Sequence, residues 1–525
     1  MEQVFFFNGH LITQNPNQPI ADALWVEDGK IKAVGKETDL RASIHSSAQQ
    51  VNLQSKALLP AFNDAHIHLW KVGDLLRFQL DLRGVASIPD LLAQIKNFAA
   101  IHPQAPWILA RGFNELTLAE GRMPTREDLD KVLPDRPCFV VRTCAHIAVV
   151  NTAALNHLPL PLDAPPGGEI RLDANGQPTG IFTETALGLF RDLLPPTTPA
   201  AYHEMILAAQ DKLLSLGIAA ATDPAVAPDL MSVYREMEQK GELKIRVNAI
   251  AMQVPDGGRN AFPLPEPFET DYLKVNAVKF FADGGLSGKT AALIQPYKNT
   301  TEHGVLRLDF DFFQQLAEQA QAAGFKIATH AIGDQAIEQV LQVYASLAEK
   351  NGKGLKHRIE HLGLPSAEHL VRMLELGIQC VSQPIFLEEL GGNFIQYLTT
   401  EYLDRVYPYR SVLDAGVTLA FSSDAPVVKE ISPLHGISSA VRRTTANGQV
   451  IAPSETISIE EAIQAYTLGA AAANNDDDKM GRLQTGYWAD FVILDRNPLD
   501  VSSDQLKSVQ VLGTWVGGKK MYEQP

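Results

Sequence analysis

The chain has 525 residues, 45% of them hydrophobic and 20% charged, with a formal net charge of −16 at pH 7. That length can bury a large core, and the composition is that of a soluble globular protein rather than a disordered one. The acidic balance repels a phosphate backbone and an anionic membrane surface, so nucleic acid and membrane are poor partners and a small molecule is the expected one.

Three cysteines, Cys138, Cys144 and Cys380, form no CxxC pair and are too few for a disulfide framework. The opening MEQVFFFNGH has an acidic residue where a secretory signal needs positive charge. No stretch approaches the roughly 18 to 20 apolar residues of a spanning helix. These features fit a cytoplasmic protein.

Along the chain, ALWVEDGKIKAVG sets Asp28-Gly29 between two alternating apolar runs, a hairpin signal because both central turn positions must tolerate positive φ. ALLPAFNDAHIH, from 57, reads as the first strand of a long β/α region. The interval from about 70 to 200 is too long for one crossover and contains LPLPLDAPPGGEI, so it reads as an insertion after that strand, covering the mouth of the domain. Beyond it come GIAAATDP from 217, IRVNAIAM from 245, VNAVKFFADGG from 275, FKIATHAIGD from 325, HRIEHLGLP from 357, GIQCVSQP from 377 and GVTLAFSSDAP from 416. Between them, DFFQQLAEQAQAAG and SAEHLVRMLELG carry apolar residues at helical spacing and end in Gly, as helices often do. Eight β/α alternations predict an α/β fold, a (β/α)8 TIM barrel, with an open doubly wound sheet as the alternative.

NNDDDK, 474–479, reads as a solvated loop. WADFVILDRNP and VLGTWVGGKKMYE then repeat the style of the N-terminal strands, with Gly517-Gly518 as a second turn. The expected division is a small β-sandwich built from both termini, 1–56 and 476–525, around a barrel over 57–475. Surface strands of such a sandwich could support a homodimer.

Strand residues two apart share a face, so His66 and His68 in DAHIH point the same way, where two imidazoles could hold a divalent metal or be ordinary structural histidines. Other strand ends favour the metal: Lys279 in VKFFADGG, His330 in IATHAIGD, His361 in RIEHLG and Asp424 in AFSSDAP. Each lies near the C-terminal end of its own predicted strand, where this architecture builds active sites. For Lys279 a plain buried salt bridge to Asp283 or Asp424 is the competing reading. Gln383, in VSQP, faces the mouth by position and could contact substrate or the outer shell of a ligand. His146, in RTCAHIAVVN, could donate to a substrate carbonyl or be a structural loop residue. His357 begins the sixth strand and belongs to the barrel bottom, where stability is the expected role. ADGGLSGKT lacks the spacing of a phosphate-binding loop, and there is no GxSxG elbow for a serine hydrolase.

In order along the chain, PAFNDAHIHL, the lysine of VKFFADGGLSGKTAAL, THAIGD, RIEHL, SSDAP and GRLQTGYWADFVILDRNP resemble the amidohydrolase superfamily, in particular the amidohydrolase 3 branch that includes N-substituted formamide deformylases. RGFNE, RTCAHIAVVNTAAL and TGIFTETA match less closely. They bring in Arg111, Asn114 and Glu184 as substrate-binding candidates that could equally be stabilising the insertion.

The resemblance implies that His66 and His68 bind the more buried metal, His330 and His361 a second, and Asp424 the first together with the attacking water. It makes Lys279, after reaction with carbon dioxide, a carbamate bridging both ions. Desolvation in an apolar strand exposes the neutral, nucleophilic amine, and two cations stabilise the product; without the carbamate the site holds one metal. Zinc suits imidazole and carboxylate ligands, with manganese, iron and nickel open. The implied reaction is hydrolysis of a non-peptide C–N bond, such as an N-formyl or N-acyl amine, by metal-activated hydroxide, with Asp424 carrying the proton to the leaving nitrogen. A cyclic amide, an ester or a phosphotriester on the same metals, and a non-catalytic small-molecule-binding barrel, are the competing expectations.

Overall fold

The computed structural model describes residues 3–44, 48–115, 117–143, 147–159, 162–165, 168–190, 193–255, 260–352 and 356–525, and all side chains within those ranges except those of Glu184, Thr185 and Asn351. Eight parallel strands form its centre: β1 (Phe62–Asp64), β2 (Ile218–Val226), β3 (Arg246–Met252), β4 (Ala277–Phe281), β5 (Lys326–Ala331), β6 (Arg358–His361), β7 (Gln379–Ser382) and β8 (Leu419–Phe421). Each pairs in parallel with the next. The ring closes where the Ala65 N–H donates to Phe421 O at 3.2 Å and the Asp424 N–H to His66 O at 2.8 Å. This is the TIM barrel that the β/α rhythm predicts. Its strands are buried on both faces, as parallel strands covered by helices must be; β6 and β7 are buried at every position.

The helices on the outside are delimited by local chemistry. Phe310–Ala322 starts at Asp309, whose carboxylate accepts the Phe312 N–H, and Ala367–Leu376 starts at Ser366 and stops at Gly377, where φ is 68°.

Both termini build two further sheets. In one, Gln3–Phe7 lies between Ala23–Glu27 and Gln49–Asn52, and Lys30–Gly35 completes the edge. In the other, the C-terminal strands Lys519–Glu523, Val511–Val516 and Phe491–Leu494 continue into the N-terminal Ala57–Pro60, His10–Ile12 and Ile20–Ala21. Phe6 meets Phe491 and Trp515 edge-on between them, at 5.0 and 4.9 Å. The two predicted hairpins turn at Asp28-Gly29 and Gly517-Gly518, all four residues with positive φ.

Two readings need correction. The run from 57 to 68 is not one barrel strand: Ala57–Pro60 pairs antiparallel with Phe491–Leu494 in the sandwich, and only Phe62–Asp64 enters the barrel. Nor is 474–479 simply solvated, because Asn474 and Asp476 are 4% and 8% exposed. The Asn474 side-chain oxygen accepts from Asn248 Nδ2 at 2.7 Å and Arg358 Nη1 at 3.0 Å, and Asp476 pairs with Lys274. Asn474 and Asp476 close the lower barrel, where cations and amides need acceptors, while Asn475 and Asp478 are exposed.

Trp70–Ala209 form a second compact unit, the remainder of the chain the first. The second unit has its own six-stranded sheet, whose strands Ile108–Phe113 and Cys138–Arg142 pair in parallel. Leu91 and Ile95 of helix Ile88–Ile101 belong to one buried apolar cluster with Ile108, Phe113, Cys138 and Val140. No helix among the described residues is long and apolar enough to cross a membrane.

Candidate metal centre

At the C-terminal ends of β1, β6 and β8, one ligand atom each from His66, His361 and Asp424 lie within 4.8 Å of one another. His66 Nε2 is 3.4 Å from Asp424 Oδ1, and His68 Nε2 is 3.5 Å from the same oxygen. The His330 ring sits 4.5 Å from that of His361, centroid to centroid, while its Nε2 faces Asp283 Oδ1 at 3.3 Å and Gly284 O at 3.2 Å. Lys279, on β4, is 1% exposed, and its ammonium lies 5.1 Å from the centre of the Phe281 ring. Its charge acts on His66, His361 and Asp424.

The backbone explains how neighbours in sequence both reach this point. β6 ends in left-handed backbone, with φ of 74° at His361 and 47° at Leu362. That breaks strand alternation, so Glu360 and His361 both face His66: Glu360 through a hydrogen bond, His361 ring to ring at 4.9 Å. Asp424 follows β8 with φ of 55°, and its N–H is held by His66 O. Asp64 binds the two strand ends together, accepting the N–H of His66 and of Ser423 at 3.1 Å each. Burial pushes the Asp64 carboxyl up to about 7 against the pull of these bonds.

The electrostatics suit a cation. Burial, then the neighbouring His330, hold His361 well below the usual imidazole range, so it presents a neutral lone pair. Burial works against ionisation of Asp424, yet its bond to His66 and the charges of His66, His361 and Lys279 outweigh that and lower its carboxyl. Imidazoles packed ring to ring cannot all be protonated. The neutral lone pair of His361 beside an ionised carboxylate fits a divalent ion, which His66, His361 and Asp424 would hold, with His68 beside them.

Several contacts escape sequence reading. Glu360 and Arg358, both fully buried, stand behind His66. The signal in RIEH is two opposite charges two residues apart in a short strand, on the same face of it. Gln383 is fully buried; its side-chain oxygen meets His361 Nδ1 at 2.7 Å and its amide donates to Ser422 Oγ at 2.9 Å. Asp283 accepts the N–H groups of Ala292, Ile332 and Gly333, pinning the loops after β4 and β5.

His357 lies at the other end of β6, where its Nδ1 accepts the Ile327 N–H at 3.1 Å. Arg111 and Asn114 are in the second unit: Arg111 among Arg83, Asp74 and Asp81, and Asn114 accepting from Arg142 Nη2 at 3.2 Å. Glu184 is on strand Pro178–Glu184 of that unit, its side chain outside the described ones. His146 also lies outside the described residues.

A barrel carrying clustered histidines and an aspartate at its C-terminal rim defines a metal-dependent hydrolase, and the comparisons with known proteins agree. The profile of the amidohydrolase family matches residues 49–522, and the chain belongs to that family. It is 29% identical to the putative amidohydrolase YtcJ of Bacillus subtilis, covering 99% of this chain and 100% of that one. With the N-substituted formamide deformylase of Arthrobacter pascens it shares 28% identity, over 100% of this chain and 99% of the relative. Among solved structures, an uncharacterized metal-dependent hydrolase from Pyrococcus furiosus superposes with a TM-score of 0.77 at 30% identity, covering 95% of this chain and 100% of that one.

Proposed function

We propose that the protein hydrolyses a non-peptide C–N bond, with an N-formyl or N-acyl amine as substrate, in the cytoplasm. The observation that carries this reading is the meeting of His66, His361 and Asp424 ligand atoms within 4.8 Å at the barrel rim. The deformylase relative supports the choice of bond. Zinc is the ion these ligands suit best, and Lys279 is the group that would bridge a pair of ions as a carbamate, with His330 and His361 toward the second. When bound, a divalent ion supplies Lewis acidity, acidifying water and polarising a carbonyl.

The side chains do the rest. Asp424 takes a proton from the attacking water and passes it to the departing nitrogen, a task suited to a carboxylate kept ionised by its neighbours. The buried walls formed by Lys279, His361 and Gln383 exclude bulk water. Arg111, Asn114, Glu184 and His146 are our candidates for substrate contact, to be tested by their effects on KM.

Metal analysis of purified protein followed by a hydrolysis screen tests the reading. Bound zinc and release of free amine from N-formyl or N-acyl amines are expected. Turnover confined to cyclic amides, esters or phosphotriesters would overturn the choice of bond. A preparation without metal, inert after adding zinc or manganese, would favour a binding barrel.

A further inference from the structure

We infer that Glu360, clamped by Arg358, is a positioning residue that locks His66 in the tautomer presenting Nε2 to the metal centre. The inference rests on the metal centre and not on which bond is cleaved.

The argument starts from hydrogen-bond capacity. An ionised carboxylate only accepts, so the group facing Glu360 Oε2 must donate. That group is His66 Nδ1. The proton of a neutral His66 is thereby placed on Nδ1 and its lone pair on Nε2, the nitrogen 3.4 Å from Asp424 Oδ1. Both Glu360 oxygens also accept from the Arg358 guanidinium, so the carboxylate meets all its neighbours as an acceptor.

Arg358 cannot swing away. Its guanidinium makes two bonds to Glu360, Nε to Oε1 at 2.5 Å and Nη2 to Oε2 at 3.0 Å, the fork geometry that fixes a carboxylate in plane. Nη2 also donates to Ala65 O at 2.6 Å, next to His66 in sequence, and Nη1 to Asn474 Oδ1 at 3.0 Å. A buried arginine thus spans the plug at the lower barrel and the chain leading into the ligand pair.

The arrangement differs from that at His361. There Nδ1 meets the neutral amide oxygen of Gln383, which orients the ring without adding charge. Of the two, His66 is the one backed by a carboxylate, which raises the basicity of Nε2 and strengthens its bond to a cation. His66 should therefore be the stronger imidazole ligand of the two.

Zinc binding, read by competition with a chelator, tests this without recourse to turnover. Glu360→Ala removes both acceptor and charge and should weaken zinc binding about 10- to 100-fold. Glu360→Gln keeps an acceptor and should fall between that variant and the unaltered protein. Because Glu360→Ala strands a buried arginine, the balanced pair Arg358→Met with Glu360→Gln is measured beside it. Folding of each variant is checked by circular dichroism. A merely structural role would lower the thermal midpoint and leave zinc affinity of the folded protein alone. Zinc affinity in a folded Glu360→Ala, or in the folded balanced pair, within a factor of two of the unaltered protein would overturn the proposal. Failure of the amide reading in a substrate screen would leave this measurement standing.

Discussion

The floor and the rim of the barrel both bury charged and imidazole side chains, and β6 carries one histidine to each. At the floor the cationic groups meet acceptors. Lys326 Nζ donates to Gln379 Oε1 and to Ala473 O, each at 2.6 Å, and Arg246 forks onto Asp490 at 2.6 and 2.9 Å beneath Trp488. In these pairs donor meets acceptor, which is what burial of polar groups demands, while the Asn63 side chain and Asn248 Oδ1 make no hydrogen bond. At the rim, His66, His330 and His361 face one another with Lys279 nearby, groups that repel when protonated, against the carboxylates of Asp424, Glu360 and Asp283. The floor seats its cations on protein acceptors; the rim makes chemical sense around a cation of another kind, a metal ion.

Removing the cation should have the largest effect. Dialysis against a chelator is expected to abolish turnover, and zinc or manganese to restore it, while the secondary structure followed by circular dichroism is retained. Full activity in metal-free protein would erase the distinction between the two ends.

Next comes Asp424→Asn, which keeps an oxygen at the rim and removes the base. Turnover should drop by about 10³-fold, the middle of the range for general acid–base groups, with bound metal still detected by elemental analysis. Retained activity would refute the role given to Asp424.

A floor variant should behave oppositely. Asn474→Ala leaves Thr222, Asn248 and part of Arg358 without a partner, at a cost of about 2 kcal/mol. A lower thermal midpoint is expected, with metal content unchanged. Metal loss with an unaltered midpoint would show that the floor serves the site directly.

The smallest effect is a matter of pH. Burial and the charge of Lys326 lower the His357 imidazole from 6.5 to about 4. Above pH 6.5 the folded and unfolded chains agree in protonation there. As pH falls from 6.5 toward 4 the unfolded chain gains a proton that the folded one refuses, so stability declines with acidity. His357→Asn, whose side-chain oxygen can accept the Ile327 N–H, should flatten the acid limb of a midpoint-against-pH curve. Superimposable curves would remove His357 from that account.

Much of this was legible in the chain. Asp28-Gly29 and Gly517-Gly518 announced their hairpins because positive φ is a property of a few residue types. The eight barrel strands were visible as short apolar runs, and His66, His361 and Asp424 as polar residues at strand ends. ALLPAFNDAHIH concealed its break at Ala61, since nothing local tells a sandwich strand from a barrel strand when both are buried on each face. NNDDDK looked solvated because its partners, Lys274 and Arg358, are far away in sequence.

The amino-acid sequence by itself determined the order of the strands, the turns and the chemical kinds of side chain at the barrel rim, because periodicity and turn preference act over a few residues. Only the tertiary structure decided which of those side chains share a proton or a charge. Glu360 and His66 lie 294 residues apart, and their bond exists because the barrel closes. Hydrogen bonds and burial act through space, and no local pattern records who the neighbour will be.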